Sequence, residues 1–87
     1  MIGSDERKGV LLMPKDLEYR IIEKCGIIGQ SGDFTKEGRV ISYNGGPPRV
    51  DIRSWRHRGE REFIGKGISF SPSEAARLWD ILREVDL

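Results

Sequence analysis

Apolar and polar positions alternate most cleanly between Arg49 and Trp55. Val50, Ile52 and Ser54 fall on one side, and Arg49, Asp51, Arg53 and Trp55 on the other. A period of two marks a β-strand with unlike faces. Upstream, Leu17–Ile28 is rich in isoleucine and predicts a first strand; a helix competes over Asp16–Cys25, but Gly26 and the isoleucines favour the strand. Gly29–Asp33 reads as a turn, Phe34–Tyr43 as a second strand, and Asn44-Gly45-Gly46 as a hairpin signal. The third strand, Arg49–Trp55, follows Pro47 and Pro48. A polar loop over Arg56–Glu62 then leads to a fourth strand, Phe63–Phe70, in which Gly65-Lys66-Gly67 predicts a bulge or a close backbone approach. Residues 1–15 show no period and read as a flexible tail, leaving 16–87 as a single domain.

The period changes at Ser71. Ser71-Pro72-Ser73-Glu74 is a capping box with proline at the first helical position, so a helix is expected from Pro72 to about Val85. Its apolar positions are Ala75, Ala76, Leu78, Trp79, Ile81, Leu82 and Val85, a wide stripe for a helix touching one surface. The predicted fold is α+β: a four-stranded antiparallel β-meander followed by one C-terminal helix. Four strands make a sheet about 19 Å wide, and a helix about 10 Å across covers half of one face. A homodimer packed through the helices, with Leu78, Trp79, Leu82 and Val85 at the interface, would cover the rest.

Composition supports that expectation. With 87 residues, 37% apolar and 33% charged, the chain is one domain poor in core, of a size at which a monomer is marginal. Cys25 is the sole cysteine, so no internal disulfide forms. With the sole histidine, His57, it falls short of a zinc site, and neither a metal nor another cofactor is expected. A lone cysteine fits a reducing compartment. The longest apolar runs, such as Val10–Met13, are four residues, against about 20 for a membrane span and at least ~7 for a signal-peptide core. A soluble, cytoplasmic protein follows, with nucleoid association compatible.

The net charge of +1 hides an asymmetry. Residues 36–66 hold eight Lys/Arg against four Asp/Glu, whereas the flanking segments are net acidic. Six of those eight are arginine, suited to gripping phosphate and stacking on planar groups. Gly59–Gly67 resembles a phosphate loop superficially, but it has five residues before the Gly-Lys where the motif needs four, and Gly67 where it needs Ser or Thr. Gly26-Ile-Ile-Gly29 matches the GXXG of the KH module, but that loop should join two helices. No carboxylate pair or nucleophile–base set emerges, so an enzyme is not expected. Trp55 instead carries the chemistry: it shares a strand face with Arg49 and Arg53, as an aromatic platform beside phosphate-binding cations would. The competing reading makes Trp55 a core-edge side chain. Tyr43, on the adjacent strand, is a second platform or a core-edge tyrosine, and Arg39 adds a further cation.

The strings GGPPRVDIRSW and GKGISFSPSE, followed by a helix, resemble the Positive Cofactor Four family of transcriptional coactivators, especially its small bacterial members, over roughly residues 18–86. The resemblance implies a β-β-β-β-α fold dimerised through the helices and binding single-stranded DNA along its β-ribbons. It also implies phosphate contacts at Arg53 and Lys66, stacking at Trp55, and Tyr43 near the family's aromatic position in the second strand. One residue separates Arg53 from Trp55 where the eukaryotic pattern has two, and Gly45-Gly46-Pro47-Pro48 replaces a basic loop. The expectation is thus a homodimeric binder of single-stranded DNA, or of RNA, with little sequence preference. The rival is a protein-interaction module using the Arg/Trp sheet face. Duplex binding is disfavoured because the one helix is net acidic and cannot enter a groove as a basic element would.

Overall fold

A computed structural model describes residues 17–87; the tail expected over residues 1–15 lies outside the described residues. Four strands, β1 (Tyr19–Ser31), β2 (Phe34–Tyr43), β3 (Pro48–Arg58) and β4 (Arg61–Phe70), precede one helix, α1 (Pro72–Leu82). The sheet order follows the sequence, and every neighbouring pair is antiparallel. The β-β-β-β-α order read from the sequence is therefore the one observed. Asn44 and Gly45 both take positive φ, 51° and 74°, as the central residues of a β-turn closed by the Gly46 amide donating to the Tyr43 carbonyl at 2.8 Å.

Three boundaries differ from expectation. The loop expected over Arg56–Glu62 is a turn at Gly59-Glu60, because Arg56 pairs with Phe63, His57 with Glu62 and Arg58 with Arg61. Backbone groups close the ladder there whatever the side chains' polarity. β1 extends to Ser31. α1 ends at Leu82, short of Val85; Glu84 and Asp86 place negative charge where the helix dipole is already negative.

Strand alternation divides the sheet into two faces. One carries Val40, Val50, Ile52, Ile68 and Phe70, aligned by register, and α1 lies beside it, Phe70 sharing a shallow depression with Leu78 and Ile81. The opposite face carries Thr35, Glu37, Arg39 and Ile41 from β2 against Trp55, Arg53, Asp51 and Arg49 from β3. Among the described residues the buried apolar side chains are Ile41 and Trp55, and both lie on this second, polar face.

β1 pairs irregularly. Its register with β2 shifts at Ile21/Glu23, Lys24/Gly26 and Ile27/Gly29, so Ile22, Cys25 and Ile28 are extra residues at successive bulges. Ile21, Lys24, Ile27 and Gln30 consequently stand opposite Ile41, Arg39, Glu37 and Thr35. From Ile21 to Gln30 the strand presents every third residue, not every second, to the polar face.

Candidate functional site

The polar face is a closed network. Arg39 leaves β2 and crosses the ring of Trp55, its guanidinium carbon 3.9 Å from the ring centroid. Beyond the ring it donates to both carboxylate oxygens of Glu62 on β4, at 2.8 and 3.0 Å. Its Nε donates to Glu37 at 2.9 Å. Thr35 gives its one hydroxyl proton to Glu37 and sits 2.7 Å from His57 Nε2, so the histidine nitrogen is the donor in that second bond. Farther along, Arg53 forks onto Asp51 at 2.6 and 2.8 Å and reaches the Gly65 carbonyl at 3.0 Å. Tyr43 donates its hydroxyl to the same Asp51 at 2.8 Å.

Ionisation follows this geometry. Burial would lift the Glu37 carboxyl, but the hydrogen bonds of Thr35 and Arg39 and the arginine's charge hold it below the ordinary range. The bidentate hydrogen bond from Arg39 lowers Glu62, against a smaller opposing effect of burial. Burial and the hydrogen bond to Asp51 push the Tyr43 hydroxyl well above its usual value. The face is a set of mutually satisfied charges.

That result relocates several side chains singled out in the sequence. Trp55 lies on the face that alternation assigns to it, but it is 0% exposed. Arg39 covers one side, and Tyr19 packs with its ring centroid 5.7 Å away. The platform expected to face solvent is therefore buried, because a long arginine from the neighbouring strand lies across it. The Trp55 indole Nε1 is buried without a hydrogen-bond partner among the described residues. Arg39, 1% exposed, is itself a core group. Arg53 and Tyr43 converge on Asp51, and Arg49 donates to the Ser69 hydroxyl at 3.1 Å with Glu74 3.8 Å away. Lys66 stands apart: it is exposed, in the irregular Gly65–Gly67 segment opposite Ser54.

The other face holds what the sequence reading passed over. At the end remote from α1, Phe34, Arg56 and Phe63 occupy one rung across β2, β3 and β4. Phe34 is 47% and Phe63 42% exposed, and Arg56 between them is exposed too. Lys36 follows Phe34 by two residues on β2, and Arg58 pairs with Arg61 beside Phe63. The Arg61 guanidinium lies 5.2 Å from the Phe63 ring centroid. Two shallow depressions lie at this end, one lined by Phe34, Lys36, Ser54 and the end of β1, the other by Phe63, Arg56, Arg58 and Arg61. Lys36, Arg56, Arg58, Arg61 and Lys66 form no ion pair with any other described residue. Asp33 and Glu60 are the acidic residues of the two turns at this end. The signal in the sequence is a β3 that continues its alternation past Trp55 and turns at Gly59-Glu60, which sets Phe63 opposite Arg56; the loop expected over Arg56–Glu62 hides it.

Among the described residues no group of three His, Cys, Asp or Glu side chains is placed to hold a metal. No described helix is long and apolar enough to cross a membrane. A protein of Treponema pallidum, described as uncharacterized, is 32% identical over 73 residues, 83% of this chain and 84% of that one. No family model matches the chain.

Proposed function

The chain belongs to the same family as the uncharacterized Treponema pallidum protein, and from its own exposed residues we propose that it binds single-stranded nucleic acid, DNA in the first place, with little sequence preference and as a homodimer. The observation that carries the reading is the exposed cation set at the sheet end remote from α1. Lys36, Arg56, Arg58 and Arg61 are exposed there, while Arg39 and Arg53 of the polar face are occupied by Glu37, Glu62 and Asp51. Exposed cations around aromatic rings suit a flexible polyanion whose bases are accessible. The DIR-x-W and GKGIS strings, similar to those of the Positive Cofactor Four family, point the same way.

The homodimer is supported by apolar surface that one chain leaves open. Trp79 is 66% exposed, and Ile68, Leu82 and Val85 are also exposed. With Leu78 they form a stripe along and beside α1, and two such stripes facing each other would remove it from water. The reading is non-enzymatic and requires no cofactor.

Titration of single-stranded DNA, RNA and duplex of one length, followed by fluorescence anisotropy at several salt concentrations, tests this. Both single strands are expected to bind more tightly than duplex. For single strands log K should fall with log salt by about 0.7 per phosphate contact. A salt-independent affinity, or none at low salt, overturns the reading and leaves a protein-interaction module in its place.

A further inference from the structure

We infer that Phe34 and Phe63 are the base-stacking pair of a single-stranded polynucleotide site, with Arg56 between them taking the intervening phosphate. The inference rests on the binding function proposed above and assigns its contact residues, away from Trp55.

Three observations converge on it. The two rings share a rung, and β3 alone separates their strands, so their Cα atoms stand two strand spacings apart, roughly 10 Å. A polynucleotide crossing the sheet there can lay one base on each ring while its backbone passes over Arg56. Both rings are open to solvent; an apolar ring left half in water forgoes part of its burial energy, and on a surface this basic an incoming base would recover it. Charge selects the occupant: Lys36 flanks one ring and Arg58 and Arg61 the other. The Arg61 guanidinium lies over the Phe63 ring, 5.2 Å from its centroid, but unlike Arg39 it is exposed and held by no carboxylate among the described residues, so it can swing onto a phosphate as a base takes its place. An acidic polypeptide would satisfy the cations, but it has no succession of flat rings to place on both phenylalanines.

Trp55 is a poorer candidate on the same criteria. A base reaches its ring only if Arg39 leaves both Glu37 and Glu62, which strips two carboxylates of their guanidinium, one of them buried.

The test compares a short labelled oligothymidylate with an abasic strand of the same length and charge, and with oligouridylate as the RNA arm. The protein is used as wild type, Phe34→Ala, Phe63→Ala and the corresponding leucine variants. Wild type should prefer bases over the abasic strand. Each alanine variant should lose about 5- to 150-fold on the base-bearing strands, the range that one stacked base represents, with abasic affinity unchanged. The leucine variants keep apolar bulk without a flat ring and should show the same loss, which separates stacking from folding. If wild type binds both strands equally and the phenylalanine variants match it, the single-strand function stands and the stacking pair is overturned. If wild type binds no strand, both fall. Quenching of Trp55 emission by oligothymidylate in a Trp79→Phe background would also overturn the assignment, in favour of a site beneath Arg39.

Discussion

Arg39 and Trp55 are held by each other. The guanidinium covers the indole and is fixed beyond it by two carboxylates, so removing either side chain dismantles more than its own contacts. Trp55→Ala is expected to cost about 3–5 kcal/mol, the usual range for truncating a large buried aromatic, read as a shift in the urea midpoint. Wild-type stability in that variant would show that the ring contributes no core. The carboxylates give the same cluster a pH signature. Glu37 and Glu62 have folded-state pKa values below the ordinary carboxyl value of 4.5, so the unfolded chain takes up protons first as the solution is acidified. Their contribution is complete above about pH 4.5 and is lost as pH falls through the folded values. Tyr43 is raised from 10.0, so its contribution is present below pH 10 and lost above. The melting temperature should be flat near neutrality and fall at both extremes, and Glu62→Gln should shrink the acid limb. Alternation along Arg49–Trp55 sufficed to place Trp55 opposite the helix-bearing face. It said nothing of exposure, because that depends on a side chain arriving from β2 and on a partner in β4, contacts that no local period encodes.

Elements were legible where their signals are local. The capping box is present as read: the Glu74 amide donates to the Ser71 hydroxyl at 3.2 Å, and the Glu74 carboxylate accepts from the Ser71 amide at 2.9 Å. β2 runs from Phe34 to Tyr43 as expected. β1 was ambiguous for a physical reason. Its bulges at Ile22, Cys25 and Ile28 give a three-residue spacing on the polar face, close to helical periodicity and unlike the alternation of a flat strand. The glycines of β4 were read as a bulge or a close approach, and Gly67 meets that description. A Cβ there would overlap Arg53 Cβ and the Ile52 carbonyl oxygen, main-chain-anchored atoms that cannot swing aside. Gly67→Ala should therefore separate β3 from β4 locally. Amide exchange at Arg53 and Ser69 should accelerate, and stability should fall by more than the ~1 kcal/mol typical of a point change; wild-type exchange rates would show that the strands accommodate a methyl group.

Across the described residues, the apolar stripe of the helix and the basic Phe34–Arg56–Phe63 rung lie at opposite ends of one sheet face. A dimer formed through the helices would leave both basic ends free, giving two sites on one particle. Leu82→Asp places a charge within the proposed interface, where an unpaired carboxylate is costly. Sedimentation equilibrium should give about twice the 9.9 kDa chain mass for wild type and a shift toward one chain mass for the variant. A wild-type monomer at micromolar concentration would refute the dimer. Trp79, at the centre of the stripe, supplies a second readout, since its emission should move to the blue as the protein is concentrated.

Among the described residues β1 is an edge strand of the sheet, and Ile22, Ile27 and Ile28 on it are exposed. A long apolar edge is a template on which another chain can continue the ladder. Three bulges in thirteen residues break the regular spacing of donors and acceptors that such a template requires. Such irregularity is expected to oppose runaway edge-to-edge polymerisation. Deleting Ile22, Cys25 and Ile28 together would straighten the edge, and thioflavin-positive fibres should then grow from a sequence that otherwise keeps its pairing partners.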